Sequence, residues 1–332
     1  NSSSVKLIDV ARAAAVDIAT VSRALNRSRG WERLSSECVE RVEREAKRLG
    51  YRPNVAARGL RRQRSDTIGV LMNPTIETAF NRELLAGIVT SLGKHGLHAL
   101  MITGKHPVTS AMERHSEGRI DGVIAPAYGL RSENLHSLRE QGTPHVLTHV
   151  APDSHEGPAV ALHAAAGIEA AVDHLVKLGH RDLVWAGPDP DHHADGRLRA
   201  KAFQHAVSKR GLPEHNPVIV ESGPELGDSI ANACQRLIPV LSDPQRPHAM
   251  ICYHDPIALG AISAARHVGL KVPRDLSIIG FDDSYGQVAD PPLTTLSHAP
   301  EEIADAAVEM LLDILKQKND AEFSPSPVVI TP

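Results

Sequence analysis

If the stretch 18–26 is helical, Ile18, Ala19, Ser22 and Arg23 share its outer face. An arginine in that position can donate two hydrogen bonds to guanine O6 and N7, and small apolar side chains such as Ile18 and Ala19 can meet a thymine methyl. Hydroxyls, here Ser22 and Thr20, suit phosphate contacts that position without reading sequence. A second group lies in "YRPNVAARGLRRQRS", where Leu60 stands among Arg58, Arg61, Arg62 and Arg64. An apolar side chain ringed by cations suits a wedge pushed between base pairs in a minor groove. A third group is scattered. Asn73, His149, Arg199, His254 with Asp255, and Asp282 each follow or flank a short apolar run. Arginine offers a fork to a hydroxyl pair or carboxylate, and aspartate accepts from hydroxyls or an amine.

Elements must hold these groups in place. Leu7, Val10 and Ala11 fall at helical spacing, as do Val21 and Leu25, with Val16 in the turn between them and Asp17 suited to cap the second helix. A third helix is expected after Ser35, with Val39, Val42, Ala46 and Leu49 inward. Three short helices of this kind make a helix-turn-helix domain. Pro53 breaks what precedes it, and Asn54 can cap a further short helix carrying Ala56, Ala57 and Leu60. Gly59 weakens that helix by about 1 kcal/mol relative to alanine, so it is expected to order on DNA.

From Asp66 onward, apolar runs alternate with helical stretches. "TIGVLMN", "HALMITG", "GVIAPA" and "HVLTHV" read as buried parallel strands, and "RDLVWAG", "PVIVES", "HAMICY" and "LSIIGFDD" as a second set. The expected class is α/β: two doubly wound lobes whose carboxyl strand ends face one cleft. "LTTLSHA" and "PVVITP" are expected to return to the first lobe. The domain plan is thus 5–52, a linker 53–65, and a core 66–332, with one lobe at 66–163 and 293–332 and the other at 164–292.

Charge supports the division. Residues 1–64 carry 15 Lys/Arg against 7 Asp/Glu, a net +8, while the remainder is −12 within an overall −4. A basic head on an acidic body suggests a polyanion-binding module. Cys38, Cys234 and Cys252 are too scattered for a disulfide framework, which points to a reducing cytoplasm. No apolar run is long enough for a membrane span, and no secretory leader is apparent. There is no Gly-rich phosphate loop, GxSxG elbow or HExxH helix, so neither enzyme activity nor a cofactor is expected. "PDPDHHADGR" clusters acids and histidines without regular metal-ligand spacing and reads as a solvated loop.

These residues resemble the LacI/GalR family of regulators. The resemblance rests on Asp9-Val10-Ala11, Thr20-Val21-Ser22-Arg23 with Leu25-Asn26, and Gly50-Tyr51, Pro53-Asn54, Ala57 and Leu60, then on "TIGVLMN", "DGVI", "HLVKLGHRDLVWAG", "RLRAKAF", "DPIALGA", "LSIIGFDD" and "PPLTTL". It implies a hinge helix after the helix-turn-helix head and a core like periplasmic sugar-binding proteins. It also implies a homodimer on a pseudo-palindromic double-stranded operator, with Asn26, Tyr51, Asn54, Ala57 and Leu60 joining the DNA contacts. By the same motifs Arg199 and Asp282 hold effector-contacting positions and Phe80 a pocket-lining one. The effector class so implied is a sugar or related metabolite.

The pattern is broken in places. Ala15 stands where the tight turn often has glycine, which is tolerable if its φ stays negative. The loop "NRSRGWERL" is about three residues longer than usual, with Trp31 expected to pack on helix three and Arg27, Arg29 and Arg33 near phosphates. His149 and His254 replace a frequent acid and asparagine, Leu162-His163 replaces an Asp-Asn pair, and a sugar-stacking Trp has no counterpart in "ESGPELGDS". The expected function is a DNA-binding transcriptional repressor controlled by a small-molecule effector. The alternative is a cytoplasmic ligand-binding protein of the same core fold that does not bind DNA.

Overall fold

Apolar residues at three- and four-residue spacing fold the start of the chain into α1 (Leu7–Ala14), α2 (Ile18–Asn26) and α3 (Ser36–Leu49). The structure is a computed structural model describing residues 5–26, 30–51, 64–72, 79–127, 137–152, 157–221, 226–317 and 325–332. It divides into two units, Asn1–Ser65 and Asp66–Pro332. In the first, Val10, Ala11, Ala14, Val21, Ala24, Val42 and Ala46 are buried together, and Leu7, Val16, Leu25, Val39, Leu49 and Tyr51 pack around them. Ser35 Oγ accepts from Cys38 N at 3.3 Å to cap α3, and Gly50 ends it in the left-handed region at φ 69°. Arg41 Nε donates to Ala14 O at 3.1 Å, placing a cation where α1 leaves carbonyls open.

The turn between α1 and α2 corrects an expectation. Ala15 has φ +52° and ψ 46°, not a negative φ. The left-handed geometry lets its amide reach the carbonyls of Ala11 and Arg12 and so close α1. The side chain costs about 1 kcal/mol there relative to glycine. Trp31 lies in a short 3-10 turn, Trp31–Arg33, that packs against α2. Arg27, Arg29 and the hinge candidates Asn54, Ala57 and Leu60 lie outside the described residues.

The second unit holds two parallel sheets. The first contains β1 (Thr67–Leu71), β2 (His98–Ile102), β3 (Gly122–Pro126), β4 (His145–Val150), β5 (Ala159–Leu162) and β11 (Val328–Ile330), in the order β11-β5-β4-β3-β1-β2. The second contains β6 (Leu183–Gly187), β7 (Val218–Ile219), β8 (Ala249–Cys252), β9 (Ser277–Asp282) and β10 (Thr294–Ser297), in the order β10-β9-β8-β6-β7. Within each lobe the chain runs outward once, then reverses past its first strand. A topological switch point therefore falls between β1 and β3 and again between β6 and β8. The strands are short Val, Ile, Leu and Ala runs because parallel strands are covered on both faces.

The intervening helices are α4 (Ala79–Lys94), α5 (Pro107–Ser116), α6 (Ala164–Lys177), α7 (Ala194–Lys209), α8 (Leu226–Ser242), α9 (Asp255–His267) and α10 (Pro300–Lys316). α8 and α9 approach closely at Gly260, where a Cβ would collide with Ala233 Cβ and stand 2.6 Å from Ile230 O.

Strand assignments were incomplete from sequence. β5, "AVAL", went unrecognised because four small residues carry little pattern. The expectation that "LTTLSHA" returns to the first lobe is also corrected. Thr294–Ser297 pairs in parallel with Ile279–Asp282 and extends the second sheet. Asp255 anchors it: Oδ1 accepts from Thr295 Oγ1 at 2.6 Å, and Oδ2 accepts from Tyr285 N at 3.0 Å. The boundary therefore lies after β10, since α10 packs on α4 and β11 pairs with β5. Among the described residues, the chain passes between lobes at His163, between β5 and α6, and at His298–Ala299, between β10 and α10.

Candidate nucleic-acid interface and ligand site

In the helical unit, Asp17 sets the recognition face. Its Oδ1 accepts from Thr20 N at 2.7 Å and its Oδ2 from Thr20 Oγ1 at 2.9 Å. These bonds, the backbone one foremost, hold its carboxyl below the usual range. Thr20 is thereby turned inward and buried, and its hydroxyl, expected at a phosphate, donates to the capping carboxylate. Ile18 and Ala19 are exposed, and Ser22 and Arg23 are half-exposed. Arg23 Nε donates to Ala19 O at 3.2 Å, which leans the guanidinium along the helix. Asn26 Nδ2 donates to Ser22 O at 2.9 Å. Tyr51 is half-buried on the small core, its amide bonded to Ala46 O.

In the second unit, the ends of β4, β8, β9 and β10 and the first turns of α7 bring polar residues together. Arg199, on α7, is 5% exposed. Its Nη1 donates to Tyr253 O at 2.9 Å and its Nη2 to Asp195 Oδ2 at 3.0 Å, while the guanidinium carbon lies 3.9 Å from the Phe281 ring centre and 4.6 Å from that of Tyr253. Arg199 Nε has no hydrogen-bond partner among the described residues. Tyr253 Oη donates to the same carboxylate oxygen, Asp195 Oδ2, at 3.0 Å. Burial raises the Asp195 carboxyl, but the Arg199 charge and the Tyr253 hydroxyl outweigh it and leave it below its usual range.

Asp282 ends β9 with φ +107°, and its Oδ1 lies 2.7 Å from His298 Nε2. Burial pushes Asp282 up to about 6, against the pull of His254 and Arg199. Burial, reinforced by Arg199, holds His298 well below the usual imidazole value. With Asp282 ionised, a neutral His298 imidazole donates Nε2–H to it. Arg199 Nη2 and His298 Nε2, 3.4 Å apart, are then two donors in contact and not a hydrogen bond.

His149 reaches the same cluster because β4 bulges. The register with β5 shifts between Thr148 and Val150, and His149 takes φ +59°. Its ring centre lies 5.6 Å from that of His298. Burial, then the neighbouring His298, holds it well below the usual value. His254 has two tasks. Its Nδ1 accepts from Ile257 N at 3.2 Å to cap α9, and its ring packs 5.2 Å from Tyr253. His149, Asp282, Asp283 and Ala299 all have positive φ at these strand ends. Such strain gathers where surrounding structure imposes a functional geometry.

The structure thus joins Arg199, Asp282, His149 and His254. Asn73 lies outside the described residues, and Phe80 is in the first turn of α4. Asp195, Tyr253, Phe281 and His298 were missed. Asp195 was legible as the i−4 partner of Arg199 on a helix. His298 was not, because only the pairing of β10 with β9 brings it beside Asp282. The acid- and histidine-rich loop uses its groups locally: Asp189 accepts from Asp191 N and contacts His192, and His193 caps α7. The cluster offers donors, acceptors and ring faces of the kind that can hold a polar ligand.

Comparison with known proteins places both units. Residues 6–54 match the lacI family of bacterial regulatory proteins, and residues 172–332 match the periplasmic binding protein-like domain. The chain is 33% identical over 312 residues to the HTH-type transcriptional repressor CytR of Escherichia coli strain K12, covering 92% of this chain and 88% of that protein. It is 30% identical over 322 residues to catabolite control protein A of Priestia megaterium, covering 95% and 93%. A crystal structure of the Lac repressor dimer bound to operator and an anti-inducer superposes with TM-score 0.81 at 24% identity, over 98% of this chain and 97% of that one.

Proposed function

Because the chain belongs to the lacI family of bacterial regulatory proteins, we propose that it is a transcriptional repressor whose hold on operator DNA is set by a small molecule bound at Arg199, Asp282, His298 and His149. The observation that carries this reading is the buried Arg199 guanidinium, paired with a partly exposed Asp195 and carrying an unpartnered Nε, beside the strained strand ends of both lobes. Charge is not kept at such a depth for packing alone, since apolar residues serve packing as well.

The effector class that fits is a sugar or related polar metabolite, held by hydrogen bonds and ring faces. It acts through its different affinity for two arrangements of the lobes. The DNA side rests on Ile18, Ala19, Ser22 and Arg23, with Asn26, Tyr51, Asn54, Ala57 and Leu60 as further contacts and Leu60 as the minor-groove wedge. Two heads in a homodimer would span a pseudo-palindromic operator. Exposed Val89 on α4 and Met101 on the edge strand β2 support a self-complementary surface there.

The test has two parts. Selection of the full chain on random duplex pools is expected to yield one two-fold-related site. A thermal-shift screen of sugars, nucleosides and amino acids is expected to find a stabilising ligand that changes affinity for that site. Arg199→Ala is expected to lose the ligand response while keeping the site. A response that survives in Arg199→Ala would move the effector elsewhere.

A further inference from the structure

Arg199 and Asp282 gather where the strands of the second sheet finish. At the opposite end, where β6, β8 and β9 begin, the chain leaves a recess of about 440 Å³. Strand register brings its members together. Leu183 pairs with Ala249 and Ala249 with Ser277, so His248, which precedes β8, stands between the residues that precede β6 and β9. His180 reaches across from the β6 side, its Nε2 2.9 Å from Ser277 Oγ. Burial, and then the nearby His248, holds the His180 imidazole below its usual value.

The carboxylates here are already committed. Asp275 accepts from Arg274 Nε and Nη2, each at 2.9 Å, and from Lys271 N, bonds that hold it down at about 2. Asp182 lies against His215 Nε2. Arg246 Nη1 donates to Asp275 O at 3.0 Å. Arg181 Nη1 donates to Val176 O at 3.0 Å and His180 O at 2.8 Å, which answers the carbonyl end of α6 and leaves the rest of its guanidinium without an acceptor among the described residues. The recess and its border thus set three arginines against two aspartates, before either imidazole takes a proton. One wall is apolar: Leu276 is buried, and Leu178, just past α6, is 62% exposed.

The occupant must suit cationic donors converging from separate strands and an apolar wall. Donors from several directions fit a tetrahedral anion with three free oxygens better than a flat carboxylate. The volume is that of a small-molecule site, larger than a bare phosphate fills. We propose that this recess binds a phosphomonoester, a small metabolite whose phosphate is held by His180, His248 and Arg181 and whose carbon part covers Leu178. The site lies at the far end of the strands from Arg199 and Asp282, so it stands apart from the effector reading above.

The experiment titrates the full chain with inorganic phosphate, phenyl phosphate and sulfate, at an ionic strength held constant with chloride, and follows the thermal midpoint of the α/β unit. Each anion is expected to raise it saturably. Phenyl phosphate is expected to half-saturate at a lower concentration than inorganic phosphate, and Leu178→Ser to remove that advantage alone. Sulfate keeps its charge near neutrality, so a tightening of its binding between about pH 8 and pH 6 reports protons taken up by the imidazoles. The His248 side chain is exposed, so His248→Gln is expected to keep its urea midpoint in chloride while weakening all three anions about ten-fold and flattening the sulfate response. Unchanged half-saturation in His248→Gln overturns the proposal, as does a rise that survives there and is lost in Arg199→Ala, which would put the anion in the cleft. No saturable rise with either phosphate overturns it too.

Discussion

The helical unit and the α/β unit each hold one arginine proposed above as a ligand contact, and they hold it in opposite ways. Arg23 is half-exposed and tethered only by local contacts to Ala19 O and, at 3.5 Å, Thr20 Oγ1. Arg199 is buried, ion-paired with Asp195, stacked on Phe281 and bonded to a carbonyl 54 residues away. A surface that reads DNA can keep its groups in water until the partner arrives, so recognition and folding stay separable. A cleft that grips a small molecule must desolvate its groups in advance, so recognition there is entangled with stability.

That contrast is sharpest for Arg199→Ala. It removes a buried guanidinium from the Phe281 ring and the Tyr253 carbonyl and is expected to lower the stability of the second unit by about 1–2 kcal/mol, since the partly exposed Asp195 left behind can be solvated, read as a fall in the urea midpoint. Retention of wild-type stability would erase the distinction between the sites.

The next effect is on pH. The folded-state values of His149, His254 and His298 are all depressed by burial. The unfolded chain therefore binds protons below about 6.5 that the folded one refuses, and stability present above that pH is lost as pH falls. Asp255 and Asp282, both raised to about 6, act in the opposite sense: the folded state takes up protons between about 6 and 4, which offsets part of the loss. Denaturation from pH 7.5 to 5.5 is expected to show a net decline in the second unit, shallower in His149→Asn. The helical unit lacks buried histidine among its described residues, and its transition should stay flat over that window.

A smaller effect belongs to the turn. Ala15→Gly removes a side chain from the left-handed region and should stabilise the helical unit by about 1 kcal/mol, measured by its thermal transition. Destabilisation would mean that Ala15 makes contacts outweighing the strain. The smallest is Ile18→Ala, expected to change stability by less than about 0.5 kcal/mol while weakening operator binding, since the side chain is already in water.

Much of this was legible in the residues. The spacing of Val10, Ala11, Val21 and Val42 specifies a helical core because local periodicity decides which faces meet. Runs such as "LVWAG" and "SIIGFD" read as parallel strands because both faces need cover. Pairing partners were harder. Nothing local distinguishes a "TTLS" strand beside β9 from one in the other sheet; the choice is made by Asp255, 40 residues away in sequence from the Thr295 it binds. The positive φ of Ala15 was hidden for a similar reason. Alanine disfavours that region, and only the need to close α1 imposes it.

The two lobe crossings at His163 and His298 carry a mechanical consequence. One residue separates β5 from α6 at the first, and two separate β10 from α10 at the second. His163 is pinned there by its amide to Ile330 O at 2.8 Å, and its Nδ1 accepts from Ala166 N at 3.1 Å. Tethers so short limit how far the two lobes can separate along this edge. A molecule that touched His298 would bear directly on one of these short connections, so that any shift of the imidazole is passed at once to both lobes.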